Sequence, residues 1–193
     1  FSIDPHVVQT PSGLYIFYCN NAYEGERAGT RIFCDRMTAP DQLEGHPQCV
    51  VEPTLDEEIF MRNRFRPGQH WHTIEGAFYF FHEGYHYLMY SGACYQNPTY
   101  FIGYCTAHAP QEADLRTLPW RKFPDAHTYL PLMKKNAFME GMGHNSVLFD
   151  GGKCYIVYHG RDLSDAQNPV DTRCARIDEM HVDQGRLSVT PTP

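Results

Sequence analysis

Phe78-Tyr-Phe-Phe-His-Glu-Gly84-Tyr-His-Tyr-Leu-Met-Tyr90 is a pair of aromatic, strand-forming runs joined at a glycine. Aromatic and β-branched side chains suit a pleated, packed surface, and glycine supplies the backbone freedom of a tight hairpin. The same device occurs twice more. Upstream it reads Val7-Val-Gln-Thr-Pro-Ser-Gly13-Leu-Tyr-Ile-Phe-Tyr18, and downstream Ser146-Val-Leu-Phe-Asp-Gly-Gly152-Lys-Cys-Tyr-Ile-Val-Tyr158. Gly13 and Gly84 are 71 residues apart, and Gly84 and Gly152 are 68 apart.

Each hairpin is followed by a third strand candidate: Thr30–Met37, Tyr100–Ala107 and Arg173–Met180. A fourth follows in each, at Gln48–Glu52, near Trp120–Phe123 and at Arg186–Val189. Four antiparallel strands repeated every ~70 residues are the mark of propeller blades. An ordinary β-sandwich does not account for three copies that share both spacing and strand order. The expected fold is therefore all-β, a single propeller domain over 1–193 with about three four-stranded blades at 1–55, 70–125 and 140–193. A propeller closes with roughly 4–8 blades. Further blades are expected before Phe1, so the domain is expected to be incomplete at its N-terminal side.

Composition agrees. Among 193 residues there are 13 Tyr, 12 Phe, 15 Gly and 14 Pro, a mixture of strand formers and turn formers. A net charge of −7 gives no general attraction to nucleic acid or to an anionic membrane. The apolar runs are far shorter than the ~20 residues that span a bilayer. Seven cysteines, with no CxxC pair, are expected as reduced and mostly buried small hydrophobes, which favours a cytoplasmic setting.

Counting back from the hairpin glycines, Asp4 lies nine residues before Gly13, Glu75 nine before Gly84, and His144 eight before Gly152. Each is at the start of the first strand of its blade. In a propeller the first strand lines the central channel, so these side chains are expected to meet. Converging carboxylates suit glycoside hydrolysis, where one acid protonates the leaving oxygen while another carboxylate activates water. A further carboxylate nearby raises the acid's pKa and keeps it protonated.

Ser2-Ile-Asp4-Pro-His-Val-Val, Thr73-Ile-Glu75-Gly-Ala-Phe and Gly143-His144-Asn-Ser-Val, in that order, resemble glycoside hydrolase family 43. The resemblance runs from Ile3 to Val189 and includes Arg173-Cys-Ala-Arg-Ile near its end. It implies a five-bladed propeller and an inverting mechanism. It also implies an exo-acting α-L-arabinofuranosidase or β-xylosidase on plant-type glycans. Glu75 resembles the general acid and Asp4 the carboxylate that tunes and orients it. His144 resembles a channel histidine that binds water or, through water, a calcium ion, and no cofactor is otherwise required. Arg173 resembles the arginine that reaches the innermost sugar. Ala77 stands where the family usually has proline. The general base is expected upstream of Phe1.

The stretch Arg62–His72 leads directly to Glu75. Trp71 and His72 are expected to bind substrate, Trp71 by stacking on a sugar face while Arg62 or Arg64 bonds hydroxyls. Two alternatives stand beside the hydrolase: a carbohydrate-binding propeller that lacks the base, and a retaining enzyme of the fructosidase kind. The expected partner is carbohydrate, with association possible through open blade flanks or with the missing blades.

Overall fold

The computed structural model describes residues 1–168 and 170–193. Strands make up 55% of it and helix 3%, so the protein is all-β. The first sheet begins with β1 (Ser2–Thr10), β2 (Gly13–Ala22) and β3 (Gly29–Ala39), paired in that order. Two short strands, β4 (Gln42–Leu43) and β5 (Gln48–Val51), pair with β3 as the fourth position. The segment after it adds β6 (Ile59–Met61) and β7 (Trp71–His72), which join the sheet through a parallel bridge from His72 to Gly29. The stretch Arg62–His72 is therefore pinned to the first blade at both ends.

The second sheet is β8 (Ile74–His82), β9 (Tyr85–Gly92), β10 (Phe101–His108) and β11 (Arg121–Lys122). The third is β12 (Met139–Asp150), β13 (Lys153–Asp162), β14 (Cys174–Asp183) and β15 (Arg186–Val189). Both are antiparallel and paired in sequence order, as propeller blades are. Tight turns make this possible. The two-residue turn Glu83-Gly84 has both residues at positive φ, 47° and 84°, matching the twist of the flanking strands.

The middle sheet is buried on both faces. Tyr79, Leu88, Tyr90 and Phe101 pack with Tyr15, Phe17 and Ile32 of the first sheet. Tyr87, Met89, Ile102 and Tyr104 pack with Met142, Ile156 and Tyr158 of the third. Alternate residues of one strand thus serve two cores, which is why Tyr87-Tyr90 reads as a continuous apolar run. The two end sheets each bury one face. Five cysteines are buried, Cys49 and Cys174 are exposed, and all seven are free.

Candidate active site

The first strand of every sheet carries the same irregularity. Pairing slips between Ile3 and His6 in β1, between Glu75 and Phe78 in β8, and between Gly143 and Ser146 in β12. Such a bulge inserts a residue, bends the strand and re-aims a side chain. Within each bulge the backbone turns left-handed: Asp4 at φ 55°, Gly76 at 62° and His144 at 48°. Asp and His are among the side chains that tolerate this region best, and glycine has no Cβ to clash.

Asp4 therefore corresponds to Gly76 and His144, while Glu75 corresponds to Ile3 and Gly143. The expected equivalence of Asp4 with Glu75 does not hold. Gly13 is the first residue of β2, paired with Thr10, whereas Gly84 sits inside the turn between His82 and Tyr85. The two glycines are offset by one position, and the count carried that offset to the site.

The three bulges nevertheless come together. The Gly76 N–H donates to Asp4 Oδ2 at 3.2 Å. A Cβ on Gly76 would lie 3.2 Å from Cγ of the His144 ring, so glycine makes room for the imidazole. The His144 N–H donates to Ser91 Oγ at 2.6 Å, and Ser91 is the cross-strand partner of Glu75. Burial, reinforced by the Asp4 carboxylate, pushes the Glu75 carboxyl up to about 7. The protonated form of Glu75 therefore persists up to near neutral pH.

Glu75 lines a cavity of about 360 Å³ whose wall includes Tyr23, Arg64, Phe65, Trp71 and Tyr95. A larger cleft, about 680 Å³, lies between outer strands of the first two sheets, against Val50, Glu52, Trp120 and Lys122. It includes none of the hub residues. Trp71 is only 3% exposed, with the Arg64 guanidinium 4.8 Å from its ring centre. Its face is covered by protein and is not free to stack on a sugar. His72 is turned away from this cavity: its Nδ1 lies 3.3 Å from the Ala28 carbonyl and its Nε2 2.9 Å from Arg27. Arg173 precedes β14, pairs with Asp171 at 2.5 Å and lies over the Tyr95 ring at 4.2 Å. It reaches the cavity through Tyr95.

Three further residues complete the hub without having been singled out in the sequence. Tyr100 fills the space above Gly143, where a Cβ would come within 1.9 Å of its ring. His159 stacks on Tyr100 at 5.7 Å, and burial together with Arg173 lowers its pKa to about 4. Arg161 donates to the Tyr95 carbonyl at 2.8 Å and approaches Glu140 at 3.5 Å. The Tyr158-His159-Gly-Arg161 run was the available signal, hidden because it reads as an ordinary strand.

A calcium ion takes six to eight oxygen ligands. Among the described residues no three or more His, Cys, Asp or Glu side chains are grouped to hold a metal. His144 offers nitrogen, and Asp4 already accepts from Gly76. These residues do not by themselves fit a calcium cage.

The three sheets thus bring a carboxyl of raised pKa, a second carboxylate and an imidazole to one hub. Residues 1–186 match Glycosyl hydrolases family 43, and the chain belongs to that family. No curated protein matches the chain. Among solved structures, a thermostable family-43 glycoside hydrolase is 30% identical with a TM-score of 0.73, aligned over 100% of this chain and 60% of that one. An α-L-arabinofuranosidase from Lactobacillus brevis is 23% identical, TM-score 0.80, over 100% and 57%. An endo-1,4-β-xylanase from Bacteroides thetaiotaomicron is 22% identical, TM-score 0.70, over 99% and 59%. The chain thus spans about three-fifths of the length of these proteins.

Proposed function

We propose that the protein is an inverting, exo-acting glycosidase of arabinofuranosyl or xylosyl chains, with Glu75 as general acid and Asp4 as the carboxylate that adds to burial in keeping it protonated. One observation carries this reading: Glu75 lines a cavity while the adjacent Gly76 N–H fixes the Asp4 carboxylate beside it. The Glu75 proton passes to the leaving oxygen as the glycosidic bond breaks. Water attacks the opposite face of the sugar, and a carboxylate base takes its proton. That base is assigned to the share of the relatives' length that this chain does not span. His144 and Arg173 are proposed to hold the sugar from the hub side. The arabinofuranosidase and xylanase neighbours support the substrate class.

The test compares wild type and Glu75→Gln on arabinofuranosides and xylosides, using the longest natural form of the protein. With poor leaving groups the variant should lose about 10²–10⁴-fold in kcat, the usual worth of a positioned acid. Proton NMR of the first-formed sugar should show the inverted anomer. Equal rates in the two proteins remove Glu75 from the acid role, and a retained anomer removes the inverting mechanism.

A further inference from the structure

Two exposed aromatic rings stand at the cavity that Glu75 lines. Tyr23, 60% exposed, comes from the segment between β2 and β3, and Phe65, 56% exposed, from the segment between β6 and β7. Their centroids are 6.4 Å apart. Both rest on the buried Trp71, Tyr23 at 5.3 Å and Phe65 edge-on at 5.6 Å. The Arg64 guanidinium sits among them, 5.3 Å from Phe65 and 5.4 Å from Phe60. Trp71 thus holds two segments, far apart in sequence, at a fixed angle. What they present is an apolar face with a five-donor cation beside it. A sugar ring matches that surface, its C–H face on the aromatics and its hydroxyls toward the guanidinium.

The side of the bond is set by what else lines the cavity. Glu75 shares its wall with these rings, whereas Asp4 and His144 lie on the hub side and do not line it. Glu75 thus stands between the hub and the aromatic wall. An acid that protonates the leaving oxygen has the departing group beside it. With the hub holding the sugar whose bond breaks, the aromatic wall faces the sugar that leaves. We propose that Tyr23, Phe65 and Arg64 form the binding site for the leaving-group sugar, so that the protein selects oligosaccharides over simple glycosides. The direction assigned to this site rests on the glycosidase reading above.

Calorimetric titration of the full chain carrying Glu75→Gln tests it without turnover. The probes are β-1,4-xylobiose and α-1,5-arabinobiose, with xylose and arabinose as controls. One disaccharide should bind about tenfold more tightly than its monosaccharide, the size of one aromatic contact. Adding Tyr23→Ala or Phe65→Ala should bring that ratio close to one. Phe65→Tyr, which keeps the ring, should restore it. Both alanine sites are exposed, so folding is preserved and is checked by thermal melting. No gain from the second sugar, or a gain that both alanine variants keep, overturns the proposal. Disaccharide binding of the expected kind with no hydrolysis by the wild type overturns only the glycosidase reading. Hydrolysis with an unchanged ratio in the alanine variants overturns only the leaving-group site.

Discussion

Glu75 shows how one residue links stability to function. Its carboxyl is held near 7, well above the usual carboxylate range, by burial first and by Asp4 second. The folded state therefore keeps a proton that the unfolded chain releases. The favourable contribution is complete below the ordinary glutamate pKa and is lost as the pH rises through about 7. Above that, holding the charge in place costs on the order of 3 kcal/mol. Glu75→Gln removes this cost. Urea denaturation should find the variant more stable than wild type at pH 8.5, with the gap closing toward pH 4. Equal stability curves across this range contradict the raised pKa.

The bulge is the element that makes the hub. Left-handed Asp4, Gly76 and His144 recur at one place in three strands, and only the middle one lacks a side chain. Gly76→Ala should put a methyl group against the His144 ring and strain the backbone by about 1–2 kcal/mol. Thermal melting should record the loss, and turnover should fall; an unchanged melting temperature with full turnover contradicts the packing. Hairpins and blade order were legible because aromatic runs and turn glycines are local signals. Register was not, since a two-residue turn can place its glycine inside the turn, as Gly84, or just after it, as Gly13. One such offset moves a carboxylate by a position. Where Trp71 and His72 point was not legible for a related reason: a two-residue strand gives no periodicity, and pairing of Trp71 with β6 and of His72 with β6 and β3 sets the side chains.

Across the molecule, the first two sheets are fastened by groups far apart in sequence. Glu58, fully buried between β5 and β6 of the first sheet, accepts from the backbone N–H groups of Thr54 and Leu55 and from Lys122 Nζ at 2.5 Å in the last strand of the second sheet. Lys122→Met should leave that buried carboxylate without its cation and cost about 3–5 kcal/mol, with part of the loss recovered on adding Glu58→Leu, which itself frees the Thr54 and Leu55 N–H groups. Chemical denaturation of the single and double variants measures this, and additive losses contradict the pairing. The end sheets tell a different story. Val7 on the first strand is 49% exposed and Ile177 on the third sheet 55% exposed. Uncovered apolar sheet faces favour association. Analytical ultracentrifugation of the 193-residue chain should therefore show concentration-dependent self-association, whereas a monodisperse monomer contradicts it.

The central claim is that burial and a neighbouring carboxylate keep Glu75 protonated at the hub. Carbon-13 NMR reads this directly, with the Glu75 carboxyl signal assigned by its absence in Glu75→Gln and followed through a pH titration. Wild type should titrate at about 7, and Asp4→Asn should titrate lower while staying above the ordinary glutamate range, because burial is the larger cause. Titration of both proteins at the ordinary glutamate value contradicts the claim.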